Sequence, residues 1–211
     1  MSIALIDYGS GNLRSAEKAF AKMASLAKSP RAVSVTADPD MVARAAHIVL
    51  PGVGAFGDCA AGLRAIDGMT EALQTRICEQ GYPFLGICVG MQLTCATGLE
   101  RGTHDGLGWI GGTVEALAVP DGLKVPHMGW NELAVTQPHP VFDGLDGAHA
   151  YFVHGYAARP DDPNHIAATT NYGGDIVAAL ARDNICGTQF HPEKSQQTGL
   201  RLIANFLDWM P

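Results

Sequence analysis

One cysteine stands between two close glycines in Gly86-Ile87-Cys88-Val89-Gly90, and a hundred residues later a histidine and a glutamate flank a proline in His191-Pro192-Glu193. Thiol, imidazole and carboxylate are the groups that acyl transfer requires: a nucleophile, a proton carrier, and an anion that fixes the imidazole tautomer and steadies its cation. The Gly-x-Cys-x-Gly spacing has the form of a nucleophile elbow, where a sharp strand-to-helix turn lifts the reactive atom above the sheet edge. Flanking glycines let the backbones approach there. A thiol opening a helix also meets unpaired N–H groups and the positive helix end, which favour thiolate. Pro192 interrupts regular helix, and residues two apart in an extended segment project to one side, so Glu193 can reach His191. Plainer readings exist: Cys88 as a small buried residue closing a βα turn, His191 as a surface-loop histidine.

The elements that would hold these groups follow from the apolar pattern. Ile3-Ala4-Leu5-Ile6-Asp7, His47-Ile48-Val49-Leu50 and Tyr82 to Cys88 read as buried parallel strands, and Arg31 to Ala37 as an edge strand. Between them lie helical patterns up to Ala27, from Asp38-Pro39, over Asp58 to Ile66 and over Met69 to Gln80. Alternation of this kind gives an α/β fold, an open, mostly parallel mixed sheet flanked by helices, with ligands gathering outside the carboxyl ends of the strands. Asp7, the loop Pro51-Gly52-Val53-Gly54 and Cys88 belong at that edge. The loop's backbone N–H groups suit a developing negative charge, although an ordinary βα loop reads the same way. From Gly106 onward, short strand-like runs (Gly112 to Val119, Lys124 to Asn131, Tyr151 to Ala158, His165 to Thr170, Ile176 to Ala181) point to an antiparallel or mixed extension of the sheet. A last strand, Cys186 to Phe190, leads into His191, and Thr198 to Trp209 closes the chain as a helix. No repeat or linker divides residues 1–211, which read as a single domain.

Bulk properties narrow the function classes. A net charge of −7 without a basic cluster argues against nucleic acid as a partner. No apolar run is long enough for a bilayer, and no leader pattern follows Met1, so a cytoplasmic enzyme is expected. Five cysteines without C-x-x-C spacing fit reduced thiols. The histidines lack metal-ligand spacing, and the turn Gly9-Ser10-Gly11 has Arg14 where a dinucleotide fingerprint needs its third glycine. Neither metal nor cofactor is expected, and that turn reads as a tight bend near the site.

With Gln92, the motif Gly86 to Gln92 and His191-Pro192-Glu193 resemble the class I (triad) glutamine amidotransferases, whose fold is flavodoxin-like. Asp7 to Asn12, Pro51 to Phe56, Val125 to Asn131, Tyr151 to His154 and His191 to Ser195 resemble, in order and over essentially the whole chain, the family's glutaminase subunits of imidazole glycerol phosphate synthase. The resemblance implies a Cys88–His191–Glu193 triad that hydrolyses glutamine through a thioester. It implies an oxyanion hole from Val89 and the Gly52-Val53 region, and glutamine contacts from Gln92 and Glu100, although Thr94 to Arg101 is less acidic than in the family. It further implies a heterodimer with a (βα)8-barrel cyclase that receives the ammonia, with Tyr151, Lys194 and Val125 to Trp130 at the interface. The Gly52-Val53 peptide would reorient when partner and nucleotide bind. A glutaminase serving another synthase, a stand-alone cysteine hydrolase and a binding module with a dead site are the competing readings.

Overall fold

A computed structural model describes residues 2–27 and 31–211. Met1, and with it the expected leaderless start, and residues 28–30 lie outside the described residues. The first half runs β1 (Ser2–Ile6), α1 (Leu13–Leu26), β2 (Ala32–Thr36), α2 (Pro39–Arg44), β3 (His47–Gly52), α3 (Phe56–Arg64), α4 (Met69–Leu73), β4 (Phe84–Cys88) and α5 (Val89–Gln92). The second half continues with β5 (Cys95–Gly98), β6 (His104–Asp105), β7 (Ile110–Ala116), β8 (His127–Glu132), β9 (Ala134–Val135), β10 (His149–His154), β11 (Tyr156–Pro160), β12 (Ile166–Asn171), β13 (Asp175–Arg182), β14 (Ile185–Thr188) and α6 (Gln196–Asp208).

The main sheet has eight strands in the order β2-β1-β3-β4-β14-β13-β12-β9. Its first five strands are mutually parallel, and the last three join antiparallel. Every residue of β3 and β4 is buried, as continuous apolar runs in the middle of a parallel sheet require, whereas β2 at the edge is half exposed. Helix α1 turns Ala16, Phe20 and Ala24 inward at helical spacing, and Phe20 meets Phe206 of α6 edge to face at 6.4 Å. Asp38 caps α2 by accepting from Asp40 N, with Pro39 in the first turn.

Three sequence expectations change. The antiparallel region does not simply extend the sheet: β12 and β13 do, but β11-β7-β5-β6 form a second sheet and β8-β10 a two-stranded ribbon. Tyr151 to Ala158 is accordingly two strands, broken at Gly155, one pairing with β8 and the other with β7. The helix expected over Met69 to Gln80 widens after Leu73 into a π-helical stretch, Gln74–Glu79. There Arg76 lies 3.2 Å over the Tyr82 ring and donates from Nε to the Ala45 carbonyl, contacts that offset the poorer helix geometry.

Candidate active site

Cys88 is the last residue of β4 and adopts φ 54°, ψ −112°, a backbone conformation that L-residues rarely occupy. The surrounding chain forces it. A Cβ on Gly90 would collide with the Leu50 carbonyl of β3, one on Gly86 would strike the Gly90 carbonyl, and one on Gly52 would lie 2.7 Å from Gly90 N. The three glycines therefore let β3, β4 and α5 close to backbone contact, and the bend concentrates at the cysteine. Cys88 ends up buried, 4% exposed, in the floor of a cleft of about 370 Å³.

The helix behind it is short. Helix α5 has four residues, because Thr94 Oγ1 bonds back to the Met91 carbonyl at 2.6 Å and the chain leaves as β5. One turn carries little macrodipole, so the polar help for a thiolate comes from individual N–H groups rather than from a helix end.

His191 follows β14, which lies beside β4 in parallel register, and is 2% exposed. Its Nδ1 lies 2.8 Å from Glu193 Oε1, with both side chains buried. Glu193 reaches it from a 3-10 turn, Pro192–Lys194, and not from the extended segment the sequence suggested. The fixed φ of proline suits the first position of a helical turn, where its missing N–H costs nothing. The opposite nitrogen, Nε2, makes no hydrogen bond of normal geometry and is left to the thiol. Burial alone lowers the imidazole pKa, but the adjacent Cys88 and the Glu193 carboxylate outweigh it, and the pKa rises to about 9. The direction of that shift favours the imidazolium.

The remaining expected residues occupy distinct places. Val53, Val89, Gln92, Glu100 and Lys194 line the cleft with Cys88 and His191. Gln92 Nε2 donates to the Tyr156 carbonyl at 3.2 Å and to Gln189 Oε1 at 2.9 Å, which leaves its Oε1 unengaged in the cleft wall. Glu100 Oε2 accepts from Phe56 N at 2.8 Å, at the first turn of α3. Tyr151 sits in β10 with Lys194 Nζ 5.8 Å over its ring, and Trp130 packs edgewise at 6.0 Å. The Tyr151 carbonyl accepts from His191 N at 3.0 Å, and Ser195 Oγ joins Tyr151 N to the His191 carbonyl.

The sequence places the Gly9–Gly11 turn near the site; the structure adds the contacts of this turn and of further neighbours. Ser10 Oγ donates to the Val53 carbonyl, which Cys59 Sγ also reaches at 3.4 Å, so the tight Gly9–Gly11 bend grips the Gly-rich loop. His154 borders the cleft and donates from Nδ1 to the Tyr156 carbonyl; its Nε2 therefore accepts from His127 Nδ1 at 3.0 Å. His127 is stacked between Phe152 and Tyr172. Gln189, inside the last buried strand-like run, places Nε2 3.6 Å from Cys88 Sγ. A long polar amide inside a buried run, two residues before His191, was the signal available for it. Among the described residues no group of three or more His, Cys, Asp or Glu is placed to hold a metal.

Comparison with known proteins gives the family and the fold. Residues 4–209 match the family model described as glutamine amidotransferase class-I. The chain is 53% identical over 216 residues to "Imidazole glycerol phosphate synthase subunit HisH" of Brucella suis biovar 1 (strain 1330), and 55% identical over 214 residues to the protein of that name from Rhodospirillum rubrum. Both alignments cover 100% of each chain. A solved glutamine amidotransferase superposes with a TM-score of 0.74 at 18% identity, over 99% of this chain and 98% of that one. A glutamine amidotransferase from Thermotoga maritima superposes with a TM-score of 0.57 at 16% identity, over 99% and 83%.

Proposed function

The chain belongs to the class I glutamine amidotransferases, and within them to the glutaminase subunits of imidazole glycerol phosphate synthase, and on that premise we propose that Cys88, His191 and Glu193 are its catalytic triad. It hydrolyses glutamine to glutamate and ammonia and passes the ammonia to the (βα)8-barrel cyclase subunit, its partner in the synthase of histidine biosynthesis. The observation that carries the triad is the buried 2.8 Å His191–Glu193 contact beside a cysteine held at positive φ.

The steps follow from the geometry. Cys88 sulfur attacks the side-chain amide carbon of glutamine, and the carbonyl oxygen becomes an oxyanion. Backbone N–H groups of Val89 and of the Gly52-Val53 region hold that charge, a contribution of about 10²–10³ in rate per donor in comparable sites. The imidazolium of His191 gives its proton to the departing nitrogen, leaving ammonia and a glutamyl thioester. His191, now neutral, takes a proton from water as the water attacks, and glutamate leaves with Cys88 restored. Glu193 holds Nδ1 throughout, so the tautomer is fixed and Nε2 does the transfer. The free Gln92 Oε1 accepts from the substrate, and Glu100, with one oxygen on α3, offers the other to its ammonium group.

Docking uses the ribbon. Val125, Met128 and Trp130 are large apolar side chains exposed at its rim, beside Tyr151 and Lys194, and covering them with the cyclase excludes water from the path of the ammonia. Residues 1–211 act as one domain, in the cytoplasm, a reading that rests on the biosynthetic role and on five thiols without disulfides; among the described residues no helix is long and apolar enough to cross a membrane.

Glutamate release is measured for the chain alone, then with cyclase and its nucleotide, with Cys88→Ala as the blank. Strong activation that disappears in the variant is expected, and Glu193→Gln lowers kcat by about 10²-fold or more with little change in KM. Equal rates with and without partner would refute the gating of the Gly52-Val53 peptide, and activity in Cys88→Ala would refute the nucleophile.

A further inference from the structure

Gln189 is fully buried between the end of β14 and His191, its backbone N–H anchored on the Ala178 carbonyl at 2.8 Å. Its carboxamide bridges two partners. Oε1 accepts from Gln92 Nε2 at 2.9 Å, and Nε2 donates towards Cys88 Sγ at 3.6 Å. The shape of an amide does not tell its two ends apart, so the direction has to come from the network. Here it comes from the Tyr156 main-chain carbonyl, which can only accept. Gln92 must turn its NH₂ group to that carbonyl, the same NH₂ meets Gln189, and Gln189 must answer with its oxygen. What remains to face the thiol is an N–H donor.

That donor matters because it does not titrate. Helix α5 is a single turn, and the side chains coupled electrostatically to Cys88 are all titratable: His191 with Glu193 behind it, and Tyr8 and Cys59 from the first strand's end and from α3. Building on the reading of Cys88 as nucleophile, we propose that Gln189 is a catalytic residue, its N–H, aimed through Gln92 by the Tyr156 carbonyl, holding the Cys88 sulfur in line and stabilising its anion. The same contact serves twice, before attack and when sulfur leaves the second tetrahedral intermediate. A hydrogen bond to a charged group is worth at least tenfold, and at 3.6 Å to sulfur the low end applies.

The test uses the complex with cyclase and nucleotide. Alkylation by iodoacetamide is followed peptide by peptide, and exposed Cys78 serves as the internal reference. Gln189→Met keeps the length and removes the donor. It is expected to lower the Cys88:Cys78 labelling ratio at pH 7 about 10-fold, to displace the Cys88 labelling profile to higher pH, and to lower kcat with KM for glutamine within about twofold. Gln189→Glu keeps the shape but puts a carboxylate against the sulfur, so the ratio falls further; it also provides the test should the methionine variant not assemble. A labelling ratio and kcat within about twofold of the parent in either assembled complex overturns the proposal. Glutaminase activity surviving in Cys88→Ala overturns the nucleophile beneath it, and this assignment with it.

Discussion

Cys88 carries a backbone strain that the close packing of β3, β4 and α5 imposes on it. At φ 54°, ψ −112° the Cβ opposes its own backbone, at a cost of order 1–3 kcal/mol for a non-glycine residue. Cys88→Ala and Cys88→Gly both delete the sulfur, and both are expected to abolish glutamine hydrolysis, but only alanine keeps the Cβ. Glycine's extra freedom in the unfolded chain costs about 0.5–1 kcal/mol, which leaves roughly 0–2.5 kcal/mol, centred near 1, in favour of the glycine variant. For a domain of this size that is a Tm difference of about 2–4 °C per kcal/mol. Calorimetric or urea unfolding of the two purified variants reads it directly. An alanine variant as stable as the glycine variant, or more so, refutes the claim that the elbow is strained.

Gly90→Ala places a methyl group against the Leu50 carbonyl, a main-chain atom that cannot step aside, and is expected to destabilise by about 3 kcal/mol or to prevent folding, as read by thermal unfolding. Glu100→Ala removes the acceptor at the first turn of α3, and its stability should fall by about 1 kcal/mol while KM for glutamine rises, as separate unfolding and kinetic measurements show. His154 and His47 are held neutral chiefly by burial, each with its pKa lowered to about 4; the unfolded chain binds protons first, so stability present above about pH 6.5 is lost as pH falls towards 4. Tm measured from pH 7.5 to 4.5 should show this, and His154→Asn should flatten it. The raised pKa of His191 acts oppositely: its contribution is complete below about pH 6.5 and is lost as pH rises through about 9, a decline that Glu193→Gln should shift to lower pH.

The parallel half of the fold was legible because its information is local. Buried runs such as Ile48 to Leu50 and Phe84 to Ile87, with Asp38-Pro39 to start a helix, identify their elements without knowledge of what lies opposite. The antiparallel half was not, since alternation alone cannot say that the two sides of Gly155 pair with different sheets. The proposed triad is suggested by equally local signals, an elbow and a proline-flanked pair. Its supporting contacts join residues far apart in the chain: Glu100 with Phe56, Ser10 with Val53, and Gln189 with both Gln92 and Cys88. No spacing rule reaches across such distances.

The stitch between Tyr151 and His191 has a consequence for how traffic through the enzyme is controlled. The outer ribbon and His191 share a peptide hydrogen bond, and Ser195 ties the adjoining backbone on either side of it. On the proposed docking, a partner gripping the ribbon would handle the same mechanical part from which the imidazole hangs. Equilibrium linkage makes that handle work from both ends: by whatever factor docking on the ribbon changes the hold on glutamine, glutamine in the cleft changes the hold on the partner by the same factor.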